Sequence, residues 1–190
     1  MGIGKLALRV TLGGYFFGHG MQKLAGWFGG AGPEGTGQFF ERAGLRPGRE
    51  AALVAGAAEA GGGSLLALGL GTPAAVSLLT GVMTNAIRYV HWKRGLWNAN
   101  GGIELPAVIL AALAVLADGG PGPYSLDEAL GWRASGSRVL AWSMGGGAAG
   151  ALLLGETGHV VLPAAATRLR RLARPAGAGR RTEAPVPAAG

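Results

Sequence analysis

The chain contains no cysteine, and charged residues make up only 14% of its 190 residues. Without cysteine it cannot form disulfides, thiolate metal sites, a cysteine nucleophile or a cysteine-held iron–sulfur cluster. A typical soluble domain has roughly 25% charged residues, whereas 49% of this chain is hydrophobic. The composition favours a membrane protein, and any redox chemistry would depend on a cofactor, a quinone or a partner subunit.

Several catalytic and ligand-binding patterns are also missing. There is no HExxH or Glu-x-x-His spacing, so the sequence predicts no metal site. No Ser-His-Asp motif, phosphate loop or dinucleotide fingerprint occurs in a suitable strand–helix context. The net charge is +7, but the basic residues lie between apolar runs and in the C-terminal tail. This distribution fits an anionic membrane surface better than a nucleic acid, so we expect no nucleic-acid partner.

Five apolar segments alternate with polar connections along the chain. A helix needs about 20 apolar residues to cross a bilayer, and the predicted helices cover residues 3–24, 51–70, 73–91, 103–117 and 139–162. The pattern predicts an all-α protein, a membrane four-helix bundle with a fifth C-terminal transmembrane helix. Residues 1–130 would form the four-helix domain, 131–163 a loop and the fifth helix, and 164–190 a disordered basic, Ala/Pro-rich tail.

The connections carry local signals of their own. Residues 25–49 are rich in Gly and Pro, which favours a loop with one or two turns of amphipathic helix near Phe39 and Phe40. The short link from Gly71 to Pro73 predicts a hairpin between the second and third helices. Asn100 is placed to cap the fourth helix.

The basic residues are distributed unevenly between the two predicted sides of the membrane. With five spans, one side carries Lys5, Arg9, Arg133 and Arg138, and the other carries Lys23, Arg42, Arg46, Arg49, Lys93, Arg94 and the arginines of the tail. The more basic side is normally cytoplasmic. We therefore expect a multi-pass protein of the cytoplasmic membrane, with its N-terminus outside and its tail in the cytoplasm. With only four spans the tail would lie on the opposite side of the membrane, and the other side would carry more Lys and Arg.

Ionisable residues gather toward the more basic side. Glu59 lies roughly 12 Å along the second helix from residue 51, inside the hydrocarbon, where a carboxylate needs a partner or a proton. His91 ends the third helix and Glu104 begins the fourth. These three residues are our candidates for proton handling. Glu104 is equally consistent with an ordinary carboxylate at a helix N-terminus.

A second group of residues is predicted to bind a ligand or to support the site: His19, Lys23, Asn85, Arg88, Trp92 and Asn100. Asn85, Arg88 and His91 recur at three-residue spacing, which would place them on one helix face. His19 and Lys23 are equally consistent with interfacial residues that extend to water. Because the tight hairpin makes the second and third helices antiparallel neighbours, we expect Glu59 to lie within reach of Arg88 or His91.

Four motifs in series resemble the DoxX family of small bacterial membrane proteins. They are R-x-x-x-G-x-x-F-x-x-H-G-x-x-K-L-x-G from Arg9 to Gly26, E-x-x-G-G-x-x-L-x-x-G from Glu59 to Gly69, the His91 region with NGG-x-E ending at Glu104, and GPG-x-x-SLD from Gly120 to Asp127. The resemblance covers residues 5 to 130. It implies a four-helix membrane bundle, and some members of the family associate with oxidoreductase systems such as thiosulfate:quinone oxidoreductase.

The leading hypothesis is a subunit or partner of a membrane redox system, with quinone as the candidate cofactor and at most an oxidoreductase-associated role for this chain. The expected partners are the lipid bilayer and a soluble oxidoreductase, and a homo-oligomer is compatible with the sequence. The alternative is a non-catalytic scaffold or binding protein in which the polar cluster only holds the helices together. A small-molecule or proton carrier is disfavoured because no inverted repeat is visible.

Overall fold

The computed structural model describes residues 2–157, with side chains to residue 153. Within these residues the chain is all-α, as predicted. Its helices are α1 (Gly2–Ala25), α2 (Gly32–Arg42), α3 (Gly48–Leu68), α4 (Thr72–Ala86), α5 (Glu104–Gly119), α6 (Leu126–Ala129) and α7 (Ser137–Thr157). The predicted fifth helix corresponds to α7 as far as residue 157. Its last predicted residues and the predicted tail, 164–190, lie outside the described residues.

The long helices alternate in direction and so define two ends. The turn end contains the α3–α4 connection and residues 120–136, and the basic end contains residues 26–47 and 92–103. Helix α3 packs against α1 and α4, and α4 packs against α5 and α7. Helix α7 runs parallel to α4, and Gly147 lies directly against the carbonyl of Ser77. The shared core contains Phe16, Leu66, Val76, Leu79, Leu113 and Leu116.

Glycines let α1 and α3 approach at backbone distance. Gly13 and Gly20 of α1 face Gly63 and Gly56 of α3, at the same seven-residue spacing in both helices. A Cβ added to Gly63 would lie 2.6 Å from the carbonyl oxygen of Gly13. Small residues at such crossings allow close packing between helices that share a membrane.

The α3–α4 connection is the predicted hairpin. Helix α3 ends in a Schellman motif, in which Leu70 N–H donates to Leu65 O at 2.9 Å and Gly69 N–H to Leu66 O at 3.0 Å. Gly69 has a φ of +62°, a conformation that glycine adopts without a Cβ clash. The hairpin therefore sets α3 and α4 side by side and antiparallel.

Two expectations about local structure were wrong. Helix α2 spans eleven residues and packs on α3, so residues 25–49 contain more helix than one or two turns. Pro33 at its start and Glu34 in its first turn favour helix initiation there. Asn100 belongs to a 3-10 turn, Asn98–Asn100, and α5 begins at Glu104 without a side-chain cap.

The third predicted helix changes its winding before it ends. Helix α4 continues beyond Ala86 as a π-helix, Ile87–His91. Because a π-helix bonds residues five apart instead of four, residues three apart no longer share a face. The single stripe predicted for Asn85, Arg88 and His91 is therefore not formed.

Among the described residues, one helix is long and apolar enough to cross a membrane by itself, Gly48–Leu68. Helix α4 has 15 residues before the π-helix, and α5 has 16. Both are shorter than the roughly 20 residues that a span usually needs. The remaining predicted spans thus stay predictions.

The glycine contact between α1 and α3 gives a stability prediction. Gly63→Ala should lower the free energy of unfolding by about 1–3 kcal/mol, because its methyl group would overlap the α1 backbone. Gly61→Ala is the matched control, since nothing lies within 4 Å of its added Cβ. Unfolding in detergent micelles measures both. Equal effects of the two substitutions would contradict this account of the helix crossing.

Candidate functional site

An ion pair between α1 and α3 forms the centre of the candidate site. Lys23 Nζ in the last turn of α1 lies 2.6 Å from Glu59 Oε2, and the Glu59 side chain is only 6% exposed. The α1–α3 crossing at Gly20 and Gly56 lies about one turn from this pair and holds the two backbones together. A short, charge-assisted contact of this kind satisfies a carboxylate that would be costly to bury alone.

Glu59 therefore has a different partner from the one expected. Its hydrogen bond and ion pair within residues 2–157 are made with Lys23, not with Arg88 or His91. Arg88 and His91 were the expected partners because the hairpin joins their helix directly to α3. The glycine contact brings α1 closer, and the π-helix turns Arg88 to an exposed position, with its guanidinium 5.3 Å from the centre of the Tyr89 ring.

The other predicted residues support the loop at the basic end. His91 Nδ1 lies 2.6 Å from Gly101 O, and Glu104 Oε2 accepts a hydrogen bond from Asn98 N–H at 2.8 Å. Trp92 and Asn100 are exposed in the same loop. The structure thus separates His91 and Glu104 from the Lys23–Glu59 pair. The proton-handling role of Glu59, His91 and Glu104 stays a prediction.

The first helix places His19 beside this site. His19 is exposed, and its Nδ1 lies 2.9 Å from Gln22 Oε1, while its backbone carbonyl accepts a 3.4 Å hydrogen bond from Lys23 Nζ. His19 therefore helps to orient the lysine through its main chain. Within the described residues, no group of three or more His, Asp or Glu side chains is placed to hold a metal ion.

A cavity of 530 Å³ adjoins Glu59. Its walls come from α3, α4, the π-helix, α7 and the connection between α2 and α3, and most of the lining is apolar: Val54, Ala55, Ala58, Leu78, Gly81, Val82, Gly147 and Ala151 are examples. Glu59 and Asn85 contribute polar atoms, and Asn85 Oδ1 is buried without a hydrogen-bond partner among the described residues. An apolar cavity with few polar groups is the usual form of a small-molecule site.

A second polar cluster lies at the turn end and was missed at the sequence level. Asp127 Oδ1 accepts a 2.7 Å hydrogen bond from Gly71 N–H, and its Oδ2 a 2.9 Å bond from Thr72 N–H. Asp127 N–H donates to Gly69 O at 2.8 Å. The carboxylate thus caps the N-terminus of α4 from a distant part of the chain, where a negative charge is favoured.

Arg9 completes this cluster beneath the same turn. It is fully buried, donates from Nη2 to Tyr124 O at 2.5 Å and packs on Gly69. Its charge interacts with Asp127, while Nε and Nη1 have no hydrogen-bond partner in the described part of the chain. Arg9 and Asp127 both belong to motifs described above: Arg9 begins the first motif, and Asp127 ends the GPG-x-x-SLD motif. The sequence identifies Arg9 as an orientation charge and as the first residue of a motif, but it does not predict the contacts of Arg9 with Tyr124 and Gly69.

The DoxX family model matches residues 4–92 and confirms the resemblance over that range. This part of the chain is similar to a DoxX domain, and that family indicates a membrane protein. The match ends at Trp92, one residue beyond the π-helix, so the NGG-x-E and GPG-x-x-SLD motifs lie outside it. No curated protein and no solved structure shows significant similarity to the chain.

The Lys23–Glu59 pair can be tested by a double-mutant cycle. Lys23→Met should destabilise the protein by roughly 1–3 kcal/mol because it leaves a buried carboxylate without its partner. The double variant Lys23→Met/Glu59→Gln should lose less stability than Lys23→Met alone, because it contains no buried charge without a partner. Unfolding in micelles measures the coupling, and additive effects would show that the two side chains do not interact.

The exposed pair Arg49–Glu34, with an N–O distance of 2.9 Å, is the control. The hydrogen bond from Arg49 lowers the pKa of Glu34. Any contribution of this pair to the free energy of unfolding is therefore present at neutral pH and lost as the pH falls through that pKa. Water screens both groups, and the same cycle at Arg49→Met/Glu34→Gln should show little coupling.

Proposed function

We propose that the chain is a multi-pass membrane protein, with α1, α3, α4 plus its π-helix, and α5 as a DoxX-like four-helix bundle and α7 as a fifth span. Large apolar side chains on the outer helix faces support this, because a soluble protein rarely exposes so many. Examples are Val10, Leu105, Val108, Val115 and Leu152. The helix α4 and its extension together cover 72–91, close to the length of a span.

Exposed aromatic side chains at both ends agree with this placement. Trp27, Phe28, Trp92 and Trp97 lie at the basic end, and Tyr124, Trp132 and Trp142 lie at or near the turn end. Trp and Tyr concentrate at the two membrane–water interfaces. Because the basic end carries more Lys and Arg, we place it on the cytoplasmic side of the cell membrane, with the N-terminus outside.

The absence of native cysteine makes this topology directly testable. Ala134→Cys at the turn end should react with a membrane-impermeant maleimide added to intact cells. Ala99→Cys at the basic end should react only after the cells are opened. Both alanines are exposed loop residues, so accessibility to the reagent reports the side of the membrane. The opposite labelling pattern would reverse the orientation, and labelling of both from outside would refute the spanning arrangement.

We further propose that the protein is a subunit or partner of a membrane redox system and binds a quinone in the 530 Å³ cavity. The supporting observation is an apolar chamber with a carboxylate and a carboxamide in its wall. The cavity suits the apolar ring and side chain of a quinone, and Asn85 can donate a hydrogen bond to a ring carbonyl. The Lys23–Glu59 pair lies beside the chamber, where it could exchange a proton with a bound quinone.

Filling the cavity should weaken quinone binding. Ala58 lines the cavity next to Glu59, so Ala58→Phe should reduce the affinity for decylubiquinone at least tenfold by occupying the space. The neighbouring Ala57 is exposed and is not part of the lining, and Ala57→Phe should leave the affinity within about twofold. Titration of the purified protein measures both variants. Binding that is absent in the unmodified protein, or equal in the two variants, would refute the quinone site.

A scaffold is the second candidate, favoured by the fact that Glu59 is already paired and joins two helices. Glu59→Gln separates the alternatives because it keeps the shape and hydrogen-bonding capacity of the side chain but removes its charge. A scaffold should keep its assembly with a partner oxidoreductase. A proton-handling subunit should keep the assembly and quinone binding while quinone reduction by the co-purified complex falls.

A further inference from the structure

A second pocket opens beside the apolar cavity at the basic end. It has a volume of 350 Å³ and is lined by Phe39, Arg42, Ala43, Tyr89, Val90, Lys93 and Arg94. Three of these residues are cations and none is an acid. Ala43, Tyr89 and Val90 also line the large cavity, so the two concave surfaces share a wall.

The positive charge of this pocket is not neutralised within the described chain. Lys23, Arg49 and Arg133 each pair with a carboxylate, whereas Arg42, Lys93 and Arg94 form no ion pair with the side chains of residues 2–153. The sequence from 154 to 190 carries six arginines and two glutamates, so its net charge does not complement the pocket either. Three cations around one concavity focus a positive potential and favour an anionic ligand.

The surroundings of the pocket specify what kind of anion fits. Exposed Trp92 and Trp97 lie in the adjacent loop, and side chains of this type occupy the headgroup level of a membrane. The wall formed by Ala43 and Val90 is apolar. A ligand held here would have a phosphate near the cations and a hydrocarbon part against that wall.

We propose that this pocket binds an anionic phospholipid of the cytoplasmic leaflet at the mouth of the large cavity. The phosphate contacts Arg42, Lys93 and Arg94, the glycerol region lies between Phe39 and Tyr89, and the acyl chains begin along Ala43 and Val90. The site requires the membrane placement proposed above but not a quinone in the cavity. Basic pockets beside membrane helices on the cytoplasmic side commonly hold such headgroups.

The test uses delipidated protein in neutral detergent and native mass spectrometry. Phosphatidylglycerol should bind saturably with one lipid per chain, and phosphatidylcholine at least tenfold more weakly. Arg42→Gln/Lys93→Gln should weaken phosphatidylglycerol binding roughly 25-fold, about fivefold for each cation removed. Arg46→Gln/Arg49→Gln removes the same charge at the same end but outside this pocket, and should change binding by no more than about twofold.

A second substitution distinguishes binding inside this pocket from nonspecific electrostatic attraction to the basic end. Ala43→Trp fills the pocket without altering charge and should reduce phosphatidylglycerol binding at least tenfold, while Ala58→Phe in the large cavity should leave it unchanged. Binding unaffected by Ala43→Trp, or equal losses in the two double variants, would overturn the proposal. Glycerol 3-phosphate binding as tightly as phosphatidylglycerol would also overturn it, in favour of a site for soluble phosphate compounds.

Discussion

The backbone contact between α1 and α3 is the constraint on which the site depends. Gly13, Gly20, Gly56 and Gly63 remove the side chains that would otherwise hold these helices apart. The resulting proximity brings Lys23 within hydrogen-bond distance of Glu59 and lets a carboxylate lie deep among apolar helices. Without that approach Glu59 would have to keep a proton or contact water, because an unpaired charge among apolar side chains is costly.

The two ends of the structure differ in how their polar groups are used. At the turn end, Asp127 satisfies backbone N–H groups at the start of α4, and buried Arg9 fixes the chain near Tyr124. These contacts hold the helices together at this end. At the basic end, the winding changes to a π-helix, and the cavity and the cationic pocket open beside it. Irregular winding of this kind frequently accompanies functional sites.

The range of the family match has a structural consequence. It ends at residue 92, yet Asp127, which caps α4 inside the matched range, lies 35 positions further on. Leu113 and Leu116 of α5 also complete the core that α3 and α4 share. The matched segment is therefore stabilised by residues outside it. Helix α7, which also lies outside it, forms one wall of the large cavity.

The sequence by itself determined the helical class, the hairpin and the position of the long helices. Apolar runs, the glycines at 69 and 71 and Pro73 are local signals, and local backbone preferences suffice to read them. It also identified Glu59 as a buried carboxylate in need of a partner, because depth along a helix follows directly from residue number.

Only the tertiary structure decided which partner Glu59 has. Lys23 is 36 residues away, and its choice over Arg88 depends on how closely two helix backbones approach and on the rotation imposed by the π-helix. The cap from Asp127 to Gly71 and Thr72, the cavity and the cationic pocket likewise join residues from distant segments. Hydrophobic periodicity shows which face of a helix is buried, but it carries no information on the neighbour that covers it, and that packing sets the geometry of a site.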